Sequence, residues 1–193
     1  MRKLIVCNIV TVDGYGAGPG DDVMAMPFDE GFDVYNAERL RAADTLLLGR
    51  TTFEGFLEYW PSRCDDPGVP PVEREISRLN NAIEKVVLSD TLTADRTGPW
   101  TKTEIVRRAD AHHRVAELKR EPGRDIVVFG SHLMWNGLLD AGLVTELHLM
   151  VGPALLGGGV RAFEGHSRTG LRLIDAAPLP GSRLVLVRYG VTE

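Results

Sequence analysis

Apolar residues arrive in this chain as short runs that stop on glycine or a polar turn, separated by longer stretches with helical spacing. Residues 4–12 form a nearly continuous apolar run, the pattern of a strand covered on both faces. A glycine-rich loop follows at 14–20. Residues 29–43 place Phe32, Tyr35, Asn36, Leu40 and Ala43 near helical spacing. The pattern then predicts a strand at 45–48, a helix at 51–60, a proline-rich loop at 61–71, a helix at 72–82 and a strand at 85–88. A short strand at 103–106 precedes a helix at 110–120, with Asp110 as its N-cap. Next come a strand at 125–129, a helix at 132–141, a strand at 144–151, a loop at 153–159, and two strands at 171–176 and 183–189 that read as an antiparallel closing pair. Strands alternating with helices, then strands alone, predict an α/β fold whose mixed sheet ends in antiparallel strands.

Two of these junctions share a form. Leu46-Leu47-Leu48-Gly49-Arg50-Thr51-Thr52-Phe53 and Ile126-Val127-Val128-Phe129-Gly130-Ser131-His132-Leu133 each run from an apolar strand through glycine directly into a helix. A helix start leaves backbone N–H groups without intrahelical acceptors, and its dipole favours an anion there. Two such turns at the carboxyl ends of strands point to a ligand with more than one phosphate. Arg50 suits this, because a guanidinium grips two phosphate oxygens at once. The same residues also permit a purely structural reading, in which Thr51 and Glu54 make a capping box and Ser131 is an ordinary N-cap.

Other patterns fall short of a chemistry. Gly157-Gly158-Gly159-Val160-Arg161-Ala162 fits G-x-G-x-x-A in letters, but Glu164-Gly165-His166-Ser167 follows where a helix is required. This cluster and the 14–20 loop therefore read as mobile loops bordering a site, or as plain turns. His112 and His113 are adjacent and diverge on a helix, while His132, His148 and His166 are isolated, so no metal site is expected. His148 fits a surface or a satisfied core position better than a ligand. Gly130-Ser131-His132-Leu133 lacks the G-x-S-x-G elbow of a serine nucleophile. Asp29, Glu30 and Asp33 at a helix start suit its dipole, and one of them could instead be a pocket acid if partly desolvated.

Composition narrows the class. The 193 residues are 44% hydrophobic and 25% charged, with a net charge of −5. An acidic balance disfavours non-specific nucleic-acid binding but leaves a small phosphate ligand open. Cys7 and Cys64 form no CxxC, which fits reduced thiols. No apolar run approaches the roughly 18 residues of a membrane span, and the first apolar run is too short for a secretion signal, so a cytoplasmic location is expected.

Taken in order, the segments resemble the dihydrofolate reductase-like superfamily, most closely the bacterial RibD C-terminal family related to the reductase domain of riboflavin biosynthesis. Thr11-Val12-Asp13-Gly14-Tyr15 is similar to that superfamily's first-strand signature, and Gly49-Arg50-Thr51-Thr52-Phe53 resembles its G-R-x-T-[WF] turn. Val86-Val87-Leu88-Ser89 looks like its next strand. Gly130-Ser131, Leu138-Leu139-Asp140-Ala141-Gly142-Leu143-Val144-Thr145-Glu146-Leu147 and Pro153-Ala154-Leu155-Leu156-Gly157-Gly158-Gly159 resemble the RibD-type glycine turn, L-x-x-G-L-V-D-E-L and P-x-L-L-G-G-G.

The resemblance covers nearly the whole chain. It implies one domain over residues 1–193 in three layers, around a mostly parallel central sheet. It also implies NADPH as hydride donor, a small-molecule substrate and a homodimer. By this likeness Arg50 and Thr51 hold cofactor phosphates, Ser89 lies by the adenosine ribose and its 2′-phosphate, and Gly130, Ser131, His132 and Leu133 line the pyrophosphate. The implied reaction passes hydride to a C=N or C=O of a pterin-like or ribosylaminopyrimidine-like molecule. A nucleotide-binding module without catalysis is the alternative.

Asp33, sixteen residues before Gly49, stands where folate reductases place their acid, and Asp13 and Trp135 are further pocket candidates. Two departures stand out. The family's Gly-Gly turn, often a cis peptide in folate reductases, is Gly130-Ser131 here, and the zinc motif of the deaminase domain fused in many riboflavin enzymes does not occur in these residues.

Overall fold

The computed structural model describes residues 1–164 and 169–192. Its centre is an eight-stranded sheet built on the apolar runs. In chain order the strands of this sheet are β1 (Leu4–Thr11), β3 (Ala43–Gly49), β4 (Glu84–Leu88), β5 (Glu104–Val106), β6 (Asp125–Phe129), β7 (Glu146–Gly152), β9 (Gly170–Pro178) and β10 (Val185–Thr192). They lie side by side as β5-β4-β3-β6-β1-β7-β10-β9. The first six run parallel; β10 is antiparallel to β7, and β9 to β10. The antiparallel closing pair thus sits at one edge, as its place in the sequence predicts.

The continuous apolar runs mark strands covered on both sides, and alternation along them assigns each side chain to a layer. Cys7 and Ile9 of β1, Leu46 and Leu48 of β3, and Val127 and Phe129 of β6 face one core. Helices α1 (Glu30–Ala42), α2 (Arg50–Tyr59) and α3 (Pro71–Ala82) close that side through Tyr35, Ala37, Leu40, Phe53 and Ile76. Val6, Leu47, Ile126 and Val128 face the other core, covered by α4 (Ala111–Arg120) and α5 (His132–Asp140) through Val115, Leu118, Trp135 and Leu138. Phe53, Phe56, Leu57 and Trp60 repeat at i, i+3, i+4 and i+7, which is why α2 lies flat on the sheet.

Several expectations change. The two glycine clusters are not loose: Tyr15–Ala17 (β2) pairs antiparallel with Val160–Arg161 (β8) in a separate two-stranded sheet. Gly159 allows the close approach, since with φ +126° a Cβ there would meet the Ala17 carbonyl oxygen at 2.3 Å. The end of the segment that interrupts the G-x-G-x-x-A pattern, with His166, lies outside the described residues. Asp110 precedes α4 but makes no side-chain cap, because a 3-10 turn at Arg108–Asp110 leads into the helix.

Asp29 does cap α1, accepting from Gly31 N at 3.1 Å, and its carboxylate also takes the Ser182 hydroxyl at 2.8 Å. That contact ties the α1 start to the turn between β9 and β10. His148 is a core histidine: Tyr35 Oη lies 2.8 Å from Nδ1 and Glu146 Oε2 lies 2.8 Å from Nε2. Burial holds its pKa below the ordinary histidine value, so the neutral ring is the form kept there.

Candidate functional site

β3 and β6 are adjacent and parallel, so Gly49 and Gly130 emerge side by side at the carboxyl edge of the sheet. The helices they start diverge, α2 to one face and α5 to the other. A crevice opens where neighbouring strands send their helices to opposite faces, and ligands of open α/β sheets gather there. The cleft here has a volume of about 870 Å³, within the usual range for small-molecule sites. Both helix starts line it, from Gly49 to Thr52 and from Gly130 to Trp135.

The turns are stitched to each other. Ser131 Oγ accepts from Gly49 N at 3.0 Å, and Ser131 N donates to Thr52 Oγ1 at 3.0 Å. Asn8, on β1 just past its last residue paired with β6, accepts from Gly130 N at 2.7 Å and donates to Gly130 O at 3.2 Å. This corrects the expectation of free turn donors: the N–H groups of Gly49, Gly130 and Ser131 are spent inside the protein. The donors left for an anion are those one step further on, His132 and Leu133 in the first turn of α5 and their counterparts in α2.

Gly130 and Ser131 both sit in the left-handed region, at φ +53° and +54°. Serine tolerates this at a cost of about 1 kcal/mol, and its two cross-turn bonds hold it there. The peptide joining them is trans, unlike the folate-reductase pattern. Ser131 is therefore no side-chain cap.

The capping-box reading of Thr51 and Glu54 also fails. The helix begins one residue earlier, at Arg50, and Gly49 caps it without a side-chain bond. Glu54 instead pairs with Arg50 at 2.7 Å and Arg96 at 2.8 Å. Arg50 and Thr51 both line the cleft, as do His132 and Leu133, the latter 74% exposed. Ser89 does not reach it. Only 2% exposed, its hydroxyl accepts from Thr91 N at 3.1 Å and Leu92 N at 2.9 Å, so it holds the turn after β4 rather than facing the cleft. Arg108 and His112 do line the cleft.

The two candidate acids differ in kind. Asp13 accepts from Thr11 Oγ1 at 2.7 Å, Gly157 N at 2.8 Å and Leu156 N at 3.2 Å. These bonds, that from Thr11 foremost, hold its carboxyl below the ordinary range. Asp13 is thus a latch between β1 and the 155–157 loop, with no proton to give near neutrality. Asp33, on α1, lines the cleft. Burial foremost, then the negative charges of Glu73, Asp29 and Glu30, push its pKa up to about 6. Phe28, Phe32, Phe56, Tyr59 and Trp60 make the cleft wall aromatic. Trp135 is 1% exposed and stacks edge-on against Phe163 at 5.3 Å, so it belongs to the core beneath the cleft.

Two further lining residues, Asn8 and Asn80, fall outside the motifs described above. Asn8 is the one strongly polar side chain in the β1 run, an interruption that marks it. Asn80, on α3, has no such mark. Among the described residues no cluster of three or more His, Cys, Asp or Glu is placed to hold a metal ion, and no helix is long and apolar enough to cross a membrane.

Known proteins share this architecture. A chain from Bacillus subtilis (strain 168), "Uncharacterized protein YyaP", is 29% identical over 178 residues, which cover 90% of this chain and 87% of that one. The crystal structure of a putative riboflavin biosynthesis protein from Shewanella sp. PV-4 superposes with a TM-score of 0.68 at 23% identity, covering all of both chains. The Thermotoga maritima diaminohydroxyphosphoribosylaminopyrimidine deaminase/5-amino-6-(5-phosphoribosylamino)uracil reductase gives 0.67 at 14% identity, with 99% of this chain matched to 57% of that one. Dihydrofolate reductase from Enterococcus faecalis gives 0.57 at 15% identity over 99% of this chain and 97% of that one. These likenesses show the dihydrofolate reductase-like fold. The family model described as the RibD C-terminal domain matches residues 2–180, so the chain belongs to the RibD C-terminal domain family.

Proposed function

We propose that the protein is an NADPH-dependent reductase that transfers hydride to a pterin-like or ribosylaminopyrimidine-like small molecule. One observation carries the reading: two helix starts from neighbouring strands open into a single cleft that also holds a partly desolvated carboxyl, Asp33. The donor set fits a dinucleotide. The first-turn N–H groups of α2 and α5 and the Arg50 guanidinium suit phosphate oxygens, and Arg108 and His112 would lie toward the adenosine end. Bound NADPH supplies the hydride. The chain's own part is to orient the two reactants, exclude water with its aromatic wall, and hold a proton on Asp33 for the reduced nitrogen or oxygen. Asp13, Ser131, Thr52 and Asn8 keep the walls in place.

The likeness also implies a homodimer. In support, β9 is an edge strand whose nine residues are all exposed, Leu171, Leu173 and Ile174 among them. Sedimentation of the wild type and of Leu173→Lys checks this, a shift from dimer to monomer being the expected outcome.

The deciding experiment measures NADPH and NADH binding by fluorescence, then NADPH oxidation with dihydrofolate and with 5-amino-6-(5-phosphoribosylamino)uracil. Saturable NADPH binding with turnover of either compound is expected. Binding without turnover of any heterocycle would favour the non-catalytic module, and absence of nucleotide binding would overturn the reading. Arg50→Ala is expected to weaken NADPH about tenfold, the scale of one lost charge-assisted contact, and NADH by less.

A further inference from the structure

Asn80 lies on α3, lines the cleft and is 1% exposed. Both polar atoms of its side chain, Oδ1 and Nδ2, are buried without a hydrogen-bond partner. Such a group is costly. A buried amide normally pairs both its donor and its acceptor, and an exception in a native protein calls for a reason. Packing does not supply one here, because an apolar side chain of the same size would fill the position without that penalty.

The surroundings hold this amide in place. The Asn80 carbonyl accepts from Lys85 Nζ, which also donates to Ile83 O at 2.8 Å and sits over the Trp100 ring. Next to Asn80 on the helix, Asn81 donates to Pro61 O at 3.0 Å and accepts from Trp100 Nε1 at 2.8 Å. Ser77 Oγ donates to Trp60 O at 2.6 Å. One turn before Asn80, Ile76 lines the same cleft. The end of α3 is therefore fixed on three sides, while the amide it carries is left unpaired.

Further residues of the cleft say what would pair with it. Phe32, Phe56, Tyr59 and Trp60 offer flat apolar faces, and Asp33 offers a carboxyl. Arg63 lies over the Tyr59 ring, 4.2 Å from its centroid, but lines a separate recess with Glu58 and Asp66 rather than the cleft. A planar, uncharged ring with adjacent hydrogen-bond donor and acceptor is the chemical match. Resting on the reductase reading above, we propose that Asn80 is a substrate-specificity residue, its amide making the paired donor and acceptor bonds to the lactam edge of a flat, uncharged nitrogen heterocycle held in the aromatic part of the cleft.

The test uses 7,8-dihydropterin as the probe, the full chain, and NADPH binding as an internal reference. Asn80→Leu removes both polar atoms while keeping the branching and heavy-atom count. The expected result is a thermal midpoint equal to or above that of the wild type, NADPH affinity within twofold of it, and dihydropterin binding weakened at least tenfold. Unchanged dihydropterin affinity in the variant would overturn the proposal, as would a wild type that binds NADPH but not dihydropterin; in both cases the reductase reading stands. Loss of NADPH binding in the wild type would instead bring down that reading and this inference together. Should Asn80→Leu fail to fold, Asn80→Ala is judged by the same ratio of dihydropterin to NADPH affinities.

Discussion

At the scale of single residues, the two carboxyls singled out from the sequence separate by environment. Asp33 is pushed up to about 6 from an unperturbed 3.8. Between those values the folded chain binds more protons than the unfolded one, so Asp33 makes stability fall as pH rises from about 4 to about 6. Asp33→Asn should therefore stabilise the protein at pH 7. Discounting for partial solvent access, about 1–2 kcal/mol is expected, measurable as a higher urea midpoint.

The same group as proton donor makes kcat fall about tenfold per pH unit above 6 where chemistry limits the rate, and the asparagine variant should lose that limb. Asp13 has the opposite sign: its bonds stabilise the ionised form, a contribution present at neutral pH and lost as pH falls through the acid range. The resemblance to folate reductases pointed to Asp33. Nothing local could reveal the fate of Asp13, because two of its donors, Leu156 N and Gly157 N, lie 143 and 144 positions away.

At the scale of elements, hydrophobic periodicity predicted the central sheet and its helices well, since its inner parallel strands need both faces covered and each helix needs one. What periodicity does not carry is contact between turns. Gly49-Arg50-Thr51-Thr52 and Gly130-Ser131 read as two turns facing one multiply phosphorylated ligand, with no bond between them, yet Thr52 and Ser131 join them directly. The β2–β8 pair was missed for the same reason, because it joins two glycine-rich segments that are far apart in sequence and too short for an alternating pattern. Thr52→Val keeps the shape but removes the acceptor for Ser131 N. A cost of about 1–2 kcal/mol follows from leaving that donor unpaired, with a several-fold loss of NADPH affinity as the α5 start shifts. Urea denaturation and nucleotide titration on the same preparation check both effects. A stability loss with unaltered nucleotide affinity would mean that the stitch serves folding alone.

At the scale of the molecule, the part of the cleft framed by the two glycine turns, where the proposed cofactor would lie, was legible because strand-glycine-helix junctions follow from backbone geometry. The half proposed for the substrate was not, since it depends on how α3 packs and on Asn80, a side chain marked by the bonds it does not make. The two halves meet across the sheet. A nucleotide spanning the starts of α2 and α5 would join elements that pack on opposite faces. A ligand that binds only when both are in place stabilises the whole fold, by about 2.7 kcal/mol at a hundred times its dissociation constant. For a chain of this size that is a rise in thermal midpoint of about 5–10 °C. NADPH is expected to produce it, and NADH at equal concentration a smaller one. In Arg50→Ala the two shifts should converge, because removing a guanidinium that favours the extra phosphate leaves only contacts common to both nucleotides. If the gap persists in that variant, discrimination lies with Arg108 and His112 at the other wall, and Arg108→Ala should then be the substitution that closes it.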